Sequence, residues 1–167
     1  DVRMEMYVRG SNVDGILKAS KKTEDALNAG AMAVGAQCEI IAPPGGYLPV
    51  VHNKDLIDLM YDNMQNIVKE KVLKYCKGFG GGSTDFGDVS TIIPGIHSYF
   101  RGVEGGLHQE NYKVVDKDNA LLNAAKCMIC LCIDLLYDDA KTCLDIKSKF
   151  EPVMTKEQYL RDWGGLK

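Results

Sequence analysis

The sequence lacks an excess of basic residues and a long uninterrupted apolar run. Its 20 lysines and arginines are outnumbered by 23 acids, for a formal charge of −3, whereas a nucleic-acid partner requires a basic face. The most apolar run, 120–136, is interrupted by Asn123, Lys126 and Asp134, so it predicts a buried helix and not a membrane span. No basic stretch followed by an apolar one opens the chain, which predicts a cytoplasmic protein without a secretory signal.

Metal-ligating side chains are also scarce. Cys127 and Cys130 have zinc-ligand spacing, but no second pair and no nearby histidine accompany them, so the six cysteines are expected to be small buried thiols. Of the three histidines, His52 directly precedes a predicted helix cap and His97 lies inside a predicted strand. His108 lies in the polar loop GVEGGLHQENY, where a neutral imidazole could bind zinc or could simply face solvent.

The first 50 residues predict a β-α-β piece. Residues 2–9 alternate apolar and polar side chains like a half-buried strand, and residues 13–34 have helical spacing after the possible caps Ser11 and Asn12. A second strand is predicted over 37–42. The Pro-Pro-Gly-Gly at 43–46 then marks a boundary, because proline removes donors and glycine interrupts regular pairing.

Residues 51–167 predict alternating helices and short apolar strands. Asn53 is the expected cap of a helix that continues to about residue 71, and a short helix begins near Phe86. A strand is expected over 95–100, helices over 117–137 and 139–150, and a capping box at 155–158. This alternation indicates an α/β architecture.

The segment FGGGSTDFGDVS, 79–90, predicts a ligand-binding loop. Its glycines allow close backbone approach, and its N–H groups and hydroxyls suit a carboxylate or a phosphate. It is not a P-loop, because Ser83 and Thr84 follow the glycines without a lysine, and the context of a dinucleotide fingerprint is missing. A purely structural turn is the alternative. Arg9, at the end of the first predicted strand, is shaped for bidentate carboxylate recognition or is simply solvated.

The order of VRMEMYVRGSN, GAQCEI, GYLPVVHNKDLIDLMYDNM, GGGSTDFGDVS, GLHQENY and AAKCMICLCIDLL resembles the second half of a family of zinc-dependent enzymes. These are the peptidases and amidohydrolases of the aminoacylase and glutamate carboxypeptidase family. The resemblance is closest to the aminobenzoyl-glutamate hydrolase branch, through STDFGDVS, YVRG and DLMYDNM, and extends to about Phe150.

The resemblance implies a fold and a domain division. Residues 1–50 would be part of a ferredoxin-like lid that forms a homodimer through its edge strand. Residues 51–167 would be the C-terminal half of a three-layer-type α/β catalytic domain. The implied reaction is hydrolysis of the amide bond of N-acyl or peptidic amino acids, with two zinc ions in the complete enzyme, or manganese or cobalt in their place.

The resemblance also implies roles for individual residues. His108 matches a metal ligand, and Arg9 matches the lid arginine that binds the substrate carboxylate. The segment Gly81, Gly82, Ser83 and Thr84 matches the loop that contacts substrate. No catalytic residue is assigned, because the family's histidine-x-aspartate pair and general-base Glu-Glu pair have no counterpart in these 167 residues.

These gaps predict that the 167-residue chain alone is catalytically silent, since zinc hydrolysis needs about three protein ligands and a base. Two other classes of protein remain open. The chain could be a non-catalytic interaction module that pairs through the strand edge at 2–9. It could also be an anion-binding α/β domain that uses the glycine loop for phosphate.

Overall fold

The computed structural model describes residues 1–41, 46–75 and 82–163, and helices dominate this part of the chain. The helices are α1 (Val13–Ala33), α2 (Lys54–Ile67), α3 (Phe86–Ile92), α4 (Ala124–Lys149) and α5 (Lys156–Asp162), with a π-helical turn over Asp118–Asn123 before α4. Two short strands, β1 (Val103–Glu104) and β2 (Lys113–Val114), pair antiparallel with Val103 opposite Val114.

The chain divides into two compact units. Unit 1 contains the described residues within 1–50, 78–92 and 153–167, and unit 2 contains those within 51–77 and 93–152. Segments distant in sequence therefore form unit 1, with 82–92 and 153–163 beside the opening 50 residues. The proposed division into a lid over 1–50 and a catalytic half over 51–167 stays a prediction.

The buried part of unit 1 is small and lies where α3 meets the segment after residue 46. Leu48 is 2% exposed, and Ser90 and Thr91 of α3 are buried. The backbone N–H of Val153 donates to the Thr91 carbonyl at 3.0 Å, which attaches the C-terminal segment to the end of α3. Helix α1, in contrast, has no buried residue.

Unit 2 is organised by the packing of α2 against α4. The apolar stripe of α2 buries Leu56 and Met60, and α4 buries Cys127 and Ile146. Between the two helices the Asn63 amide donates to the Asp134 carboxylate at 2.7 Å. This hydrogen bond gives a partner to the Asp134 carboxylate, which interrupts the apolar run of α4.

The predicted helices are confirmed more closely than the predicted strands. Asn12 caps α1, with its side chain accepting from the Gly15 N–H, and the capping box of Thr155 and Gln158 opens α5. The predicted interruption between 137 and 139 is a non-helical stretch at 137–140, where residues 138–140 have positive φ. Helix α2 ends at Ile67, four residues before the predicted end at 71.

The strands predicted over 2–9, 37–42 and 95–100 are wrong over their described residues. No ladder forms in these segments, and Val2 and Met4 of the first are 96% and 70% exposed. Alternation predicts only which face of a strand would be buried, whereas a ladder also requires a neighbouring strand. The α/β class itself remains a prediction.

The predicted burial of the 120–136 helix is also wrong. Leu121, Met128, Ile129 and Leu136 are each exposed by more than half, and Cys132 is exposed. Of the five cysteines that the structure describes, Cys127 alone is fully buried, and all five are free thiols. The apolar run and its spacing predicted the helix correctly, but α2 covers only one side of this helix.

Replacing Asn53 by alanine is expected to lower the free energy of unfolding of unit 2 by about 1 kcal/mol. The Asn53 side chain accepts the Leu56 N–H at 3.1 Å in the first turn of α2, and alanine leaves that donor without its partner. Asn53→Asp, which retains an acceptor, is the matched control and should change stability by only a few tenths of a kcal/mol. Urea unfolding followed by circular dichroism measures both, and equal losses would contradict the capping role.

Candidate functional site

Arg9 and Ser83, separated by 74 residues in sequence, are in direct contact in unit 1. The Arg9 Nη1 donates to the Ser83 Oγ at 2.9 Å. The guanidinium also lies over the Tyr7 ring, 5.5 Å from its centroid, a cation–π arrangement that restricts its orientation. The structure therefore brings together two of the residues that the sequence singled out for substrate binding.

The glycine loop is anchored by the turn that opens α3. The Thr84 carbonyl accepts the Gly87 N–H at 3.1 Å, and the Asp85 carbonyl accepts the Asp88 N–H at 3.0 Å. These bonds satisfy amides that have no partner within a helix's first turn. Because these bonds fix the turn at the start of α3, Ser83 is held beside Arg9 on the surface.

A close backbone contact holds α3 against the segment after residue 46. A Cβ on Gly87 would lie 1.7 Å from the Leu48 carbonyl oxygen, so only glycine fits at this position. The Leu48 N–H donates to the Asp88 Oδ1 at 3.3 Å in the same place. Glycine is therefore required at position 87 by the close packing of α3 on Leu48 and not by a positive φ. This packing fixes the position of α3, which follows the glycine loop.

The surface around the Arg9 and Ser83 contact is rich in hydrogen-bond donors. Arg9 uses one of its five N–H groups on Ser83, and no acidic side chain among the described residues forms an ion pair with it. The backbone N–H groups of Gly82 and Ser83 also have no acceptor within that part of the chain. A Cβ on Gly82 would meet nothing within 4 Å, so the surface is open to a ligand.

Two further residues of the predicted substrate-binding loop are Gly81 and Thr84. Gly81 lies outside the described residues. The Thr84 hydroxyl is engaged locally, since it accepts the Phe86 N–H at 3.4 Å and donates to the Asp85 carboxylate at 3.2 Å. Thr84 therefore acts on the conformation of the loop in this structure, while Gly82, Ser83 and Arg9 present the donors.

His108 lies in unit 2, in a compact exposed turn after β1. It has a positive φ of 62°, and the turn is closed by the Gln109 N–H donating to the Gly106 carbonyl at 3.0 Å. The Gly106 N–H in turn donates to the Asn111 side chain at 3.1 Å. The imidazole is therefore presented to solvent by a defined turn, and its role as a metal ligand stays a prediction.

The described residues do not form a metal site by themselves. Among them no group of three or more histidine, cysteine, aspartate or glutamate side chains is placed to hold an ion. A catalytic metal needs about three protein ligands and an open position. The described residues by themselves therefore do not fit a catalytic metal ion.

Two polar clusters were not singled out by the sequence as functional. In unit 1, burial raises the pKa of Asp88, while hydrogen bonds from the Leu48 N–H and the Tyr159 hydroxyl oppose the rise. In unit 2, His52 Nδ1 accepts the His97 N–H at 3.3 Å, and His97 Nδ1 lies 3.1 Å from the Tyr99 hydroxyl. Both clusters join segments distant in sequence, so no local pattern could have shown them.

Asp88→Asn is expected to change how the stability of unit 1 depends on pH. A carboxyl whose pKa is raised by folding contributes stability below its unfolded pKa, and the contribution is lost as the pH rises through the folded pKa. The stability of the variant relative to the wild type should therefore increase as the pH rises above the ordinary value of 3.8.

Fluorescence of Trp163, the one tryptophan of the chain and part of unit 1, follows this change in urea unfolding between about pH 3 and pH 7. The asparagine side chain of the Asp88→Asn variant retains an acceptor for the Leu48 N–H, so the fold is preserved in the comparison. A stability difference that does not vary with pH would contradict the raised pKa of Asp88.

Comparison with known proteins gives two relatives by sequence. The chain is 29% identical over 160 residues to a mouse protein named Xaa-Arg dipeptidase and to a human protein of the same name, and 92% of the chain is matched in each case. The matched region is 37% of the mouse protein and 36% of the human one, so the chain spans little more than a third of their length. No family model and no solved structure matches.

These relatives support the coarser part of the family resemblance. Two dipeptidases at this level of identity favour a peptidase or amidohydrolase, that is, a hydrolase of amide bonds. They do not support the aminobenzoyl-glutamate hydrolase branch, which neither name mentions, and they name no metal.

Proposed function

We propose that this chain supplies the carboxylate-binding part of a metal-dependent peptidase or amidohydrolase that cleaves dipeptides or N-acyl amino acids. The observation that carries the proposal is the 2.9 Å hydrogen bond from the Arg9 guanidinium to the Ser83 hydroxyl. It joins the two sequence segments that were singled out for carboxylate binding. The similarity to two dipeptidases supports the same reaction class.

The chemistry of the contact suits the terminal carboxylate of a peptide. A guanidinium binds a carboxylate through two parallel N–H bonds, and Arg9 has four N–H groups beyond the one given to Ser83. The N–H groups of Gly82 and Ser83 add neutral donors beside it. Binding energy gained here, away from the scissile amide, would position that amide for attack.

The preferred substrate side chain is a finer part of the proposal. The relatives' name specifies arginine in the second position of a dipeptide, whereas the resemblance in sequence pointed to an aminobenzoyl-glutamate-like substrate. Both have a free α-carboxylate. We place the common recognition on this carboxylate and propose an Xaa-Arg dipeptide as the first substrate to test.

The metal requirement concerns the complete enzyme. His108 is proposed as one ligand for zinc, with manganese or cobalt as alternatives, and the other ligands and the general base would come from residues outside this sequence. The chain by itself is therefore proposed to bind substrate carboxylates but not to catalyse. Association of two copies through residues 2–9 and a cytoplasmic location remain predictions.

The proposal is tested by assaying the natural gene product and the 167-residue chain with an Xaa-Arg dipeptide, an Xaa-Glu dipeptide and their C-terminal amides. We expect the natural product to hydrolyse at least one of the free dipeptides at least about tenfold faster than its amide, since the amide loses a charge-assisted hydrogen bond. A chelator should abolish the activity and a divalent metal should restore it. The chain alone should show no hydrolysis.

Two outcomes would contradict the proposal. Equal rates on the free dipeptides and their amides would remove the role of the carboxylate. Protection of the chain from thermal unfolding by inorganic phosphate, together with none by a dipeptide, would favour the anion-binding alternative instead.

A further inference from the structure

The exposed side of the first half of α4 is an unusually apolar surface. Seven positions in the first half of the helix and the turn before it are exposed and apolar or nearly so: Leu121, Leu122, Met128, Ile129, Cys132, Ile133 and Leu136. We call this set the outer stripe. Leu122, Ile129 and Leu136 follow one another at seven-residue intervals, so they lie above one another on one face of the helix.

The outer stripe is too extensive to be an ordinary solvent-facing surface. Its large aliphatic side chains, including that of methionine, are 49% to 65% exposed. Between Leu121 and Leu136, Lys126 is the one charged residue that is exposed. The stripe is roughly 22 Å long at the helical rise of about 1.5 Å per residue. A continuous exposed apolar patch on this scale marks an interaction surface.

A lipid bilayer is a poor occupant, although Asp118–Lys149 is long and apolar enough by length and composition to cross a membrane. The apolar part ends at the non-helical stretch 137–140, where Asp138 and Asp139 have positive φ. The run 121–136 spans about 22 Å, less than the roughly 30 Å hydrocarbon core. Insertion would also bring in α2, with its charged Asp55, Asp58 and Asp62.

A second copy of the same helix is also a poor match. A two-helix seam uses a narrow stripe of two positions per heptad, whereas a face that packs into a globular core is about 100° wide or more. The outer stripe includes neighbouring positions such as Leu121 with Leu122, Met128 with Ile129 and Cys132 with Ile133. The width of the outer stripe therefore fits packing against a layer of a globular domain better than packing against one helix.

The two dipeptidases indicate a source for the polypeptide that would cover the outer stripe. Nearly two thirds of each dipeptidase lies outside the region matched to this chain. We infer that the outer stripe of α4 docks further polypeptide of the same gene product, corresponding to the unmatched part of those relatives. The inference concerns packing and is independent of the substrate proposed above.

Thiol labelling tests the inference directly, because Cys132 lies in the outer stripe and is exposed. The natural gene product and the 167-residue chain are each treated with a maleimide, and mass spectrometry assigns the modified cysteines. Cys38 is exposed and lies in unit 1, outside the stripe, so it is the internal control. Buried Cys127 reports any general unfolding.

We expect the labelling rate of Cys132 relative to Cys38 to be at least tenfold lower in the natural product than in the 167-residue chain. A smaller change, or a natural product no longer than 167 residues, would overturn the inference. Protection of Cys132 already in the 167-residue chain would also overturn it, in favour of self-association if light scattering shows a dimer. Protection that requires phosphatidylcholine and phosphatidylglycerol vesicles would overturn it in favour of a membrane.

Discussion

Replacing Arg9 by methionine is expected to lower kcat/KM of the complete enzyme on a free dipeptide about tenfold to a hundredfold. Methionine retains much of the length of the side chain but removes the charge and every donor. Under the proposed function, the lost interaction is a charge-assisted hydrogen bond to the substrate carboxylate, which is stronger than a neutral one. On the matching dipeptide amide the same substitution should change kcat/KM by less than about threefold.

Arg3→Met is the matched control for this experiment. Arg3 lies on the same exposed segment, and its Nε is 3.6 Å from the Asp1 carboxylate, an exposed pair that contributes little. We expect no measurable change in kcat/KM from Arg3→Met on either substrate. Steady-state kinetics on the free dipeptide and its amide, with metal content measured for each variant, complete the comparison.

The results would reject the assigned role of Arg9 in two ways. One is an equal loss of activity on the dipeptide and its amide, which would mean that Arg9 supports the fold or the metal site and not the carboxylate. The other is a loss of bound metal in Arg9→Met equal to that in His108→Ala. We propose that His108 binds the metal and that Arg9 binds the carboxylate, so only His108→Ala should lower metal content.

Replacing Gly87 by alanine is expected to destabilise unit 1 by about 3 kcal/mol. The new Cβ would lie 1.7 Å from the carbonyl oxygen and 2.7 Å from the carbonyl carbon of Leu48. Both are backbone atoms, so no side-chain rotation can relieve the clash. Helix α3 and the segment of Leu48 must separate, which disrupts the burial of Leu48 and its N–H bond to Asp88.

Gly30→Ala provides a control with the opposite expected sign. Gly30 lies within α1, where a Cβ would meet nothing within 4 Å. Alanine should therefore stabilise that helix by up to about 1 kcal/mol through its higher helix propensity. Urea unfolding followed by Trp163 fluorescence measures both variants. A stabilising Gly87→Ala would show that the close approach of Gly87 to Leu48 does not exist in solution.

Helix ends were predictable because their determinants are local. Asn53 and Thr155 were identified as caps, and Asn12 was one of two candidates with Ser11. Asn12, Asn53 and Thr155 each accept a hydrogen bond from an N–H in the first turn. A cap involves groups only two or three residues apart, so the sequence contains all the partners. The break between the two parts of α4 at 137–140 was also predicted.

Strands and burial were less predictable because their partners are distant. Residues 2–9 have the alternation of a strand, yet no described neighbour pairs with them. The first half of α4 has the composition of a buried helix, yet α2 covers one side and leaves Ile129 and Leu136 59% and 65% exposed. An apolar pattern predicts that a surface requires covering, but not which polypeptide supplies the cover.

The amino-acid sequence alone determined the helices, their caps and the residue types suited to a carboxylate, since each depends on neighbours within a few positions or on side-chain chemistry. Only the tertiary structure decided that Arg9 contacts Ser83, that Gly87 is confined by Leu48, and that the outer stripe of α4 is uncovered. These features join segments 39 to 74 residues apart or depend on the absence of a neighbour among the described residues. No short-range pattern encodes such a pairing, because the free energy that selects it comes from packing of the whole unit.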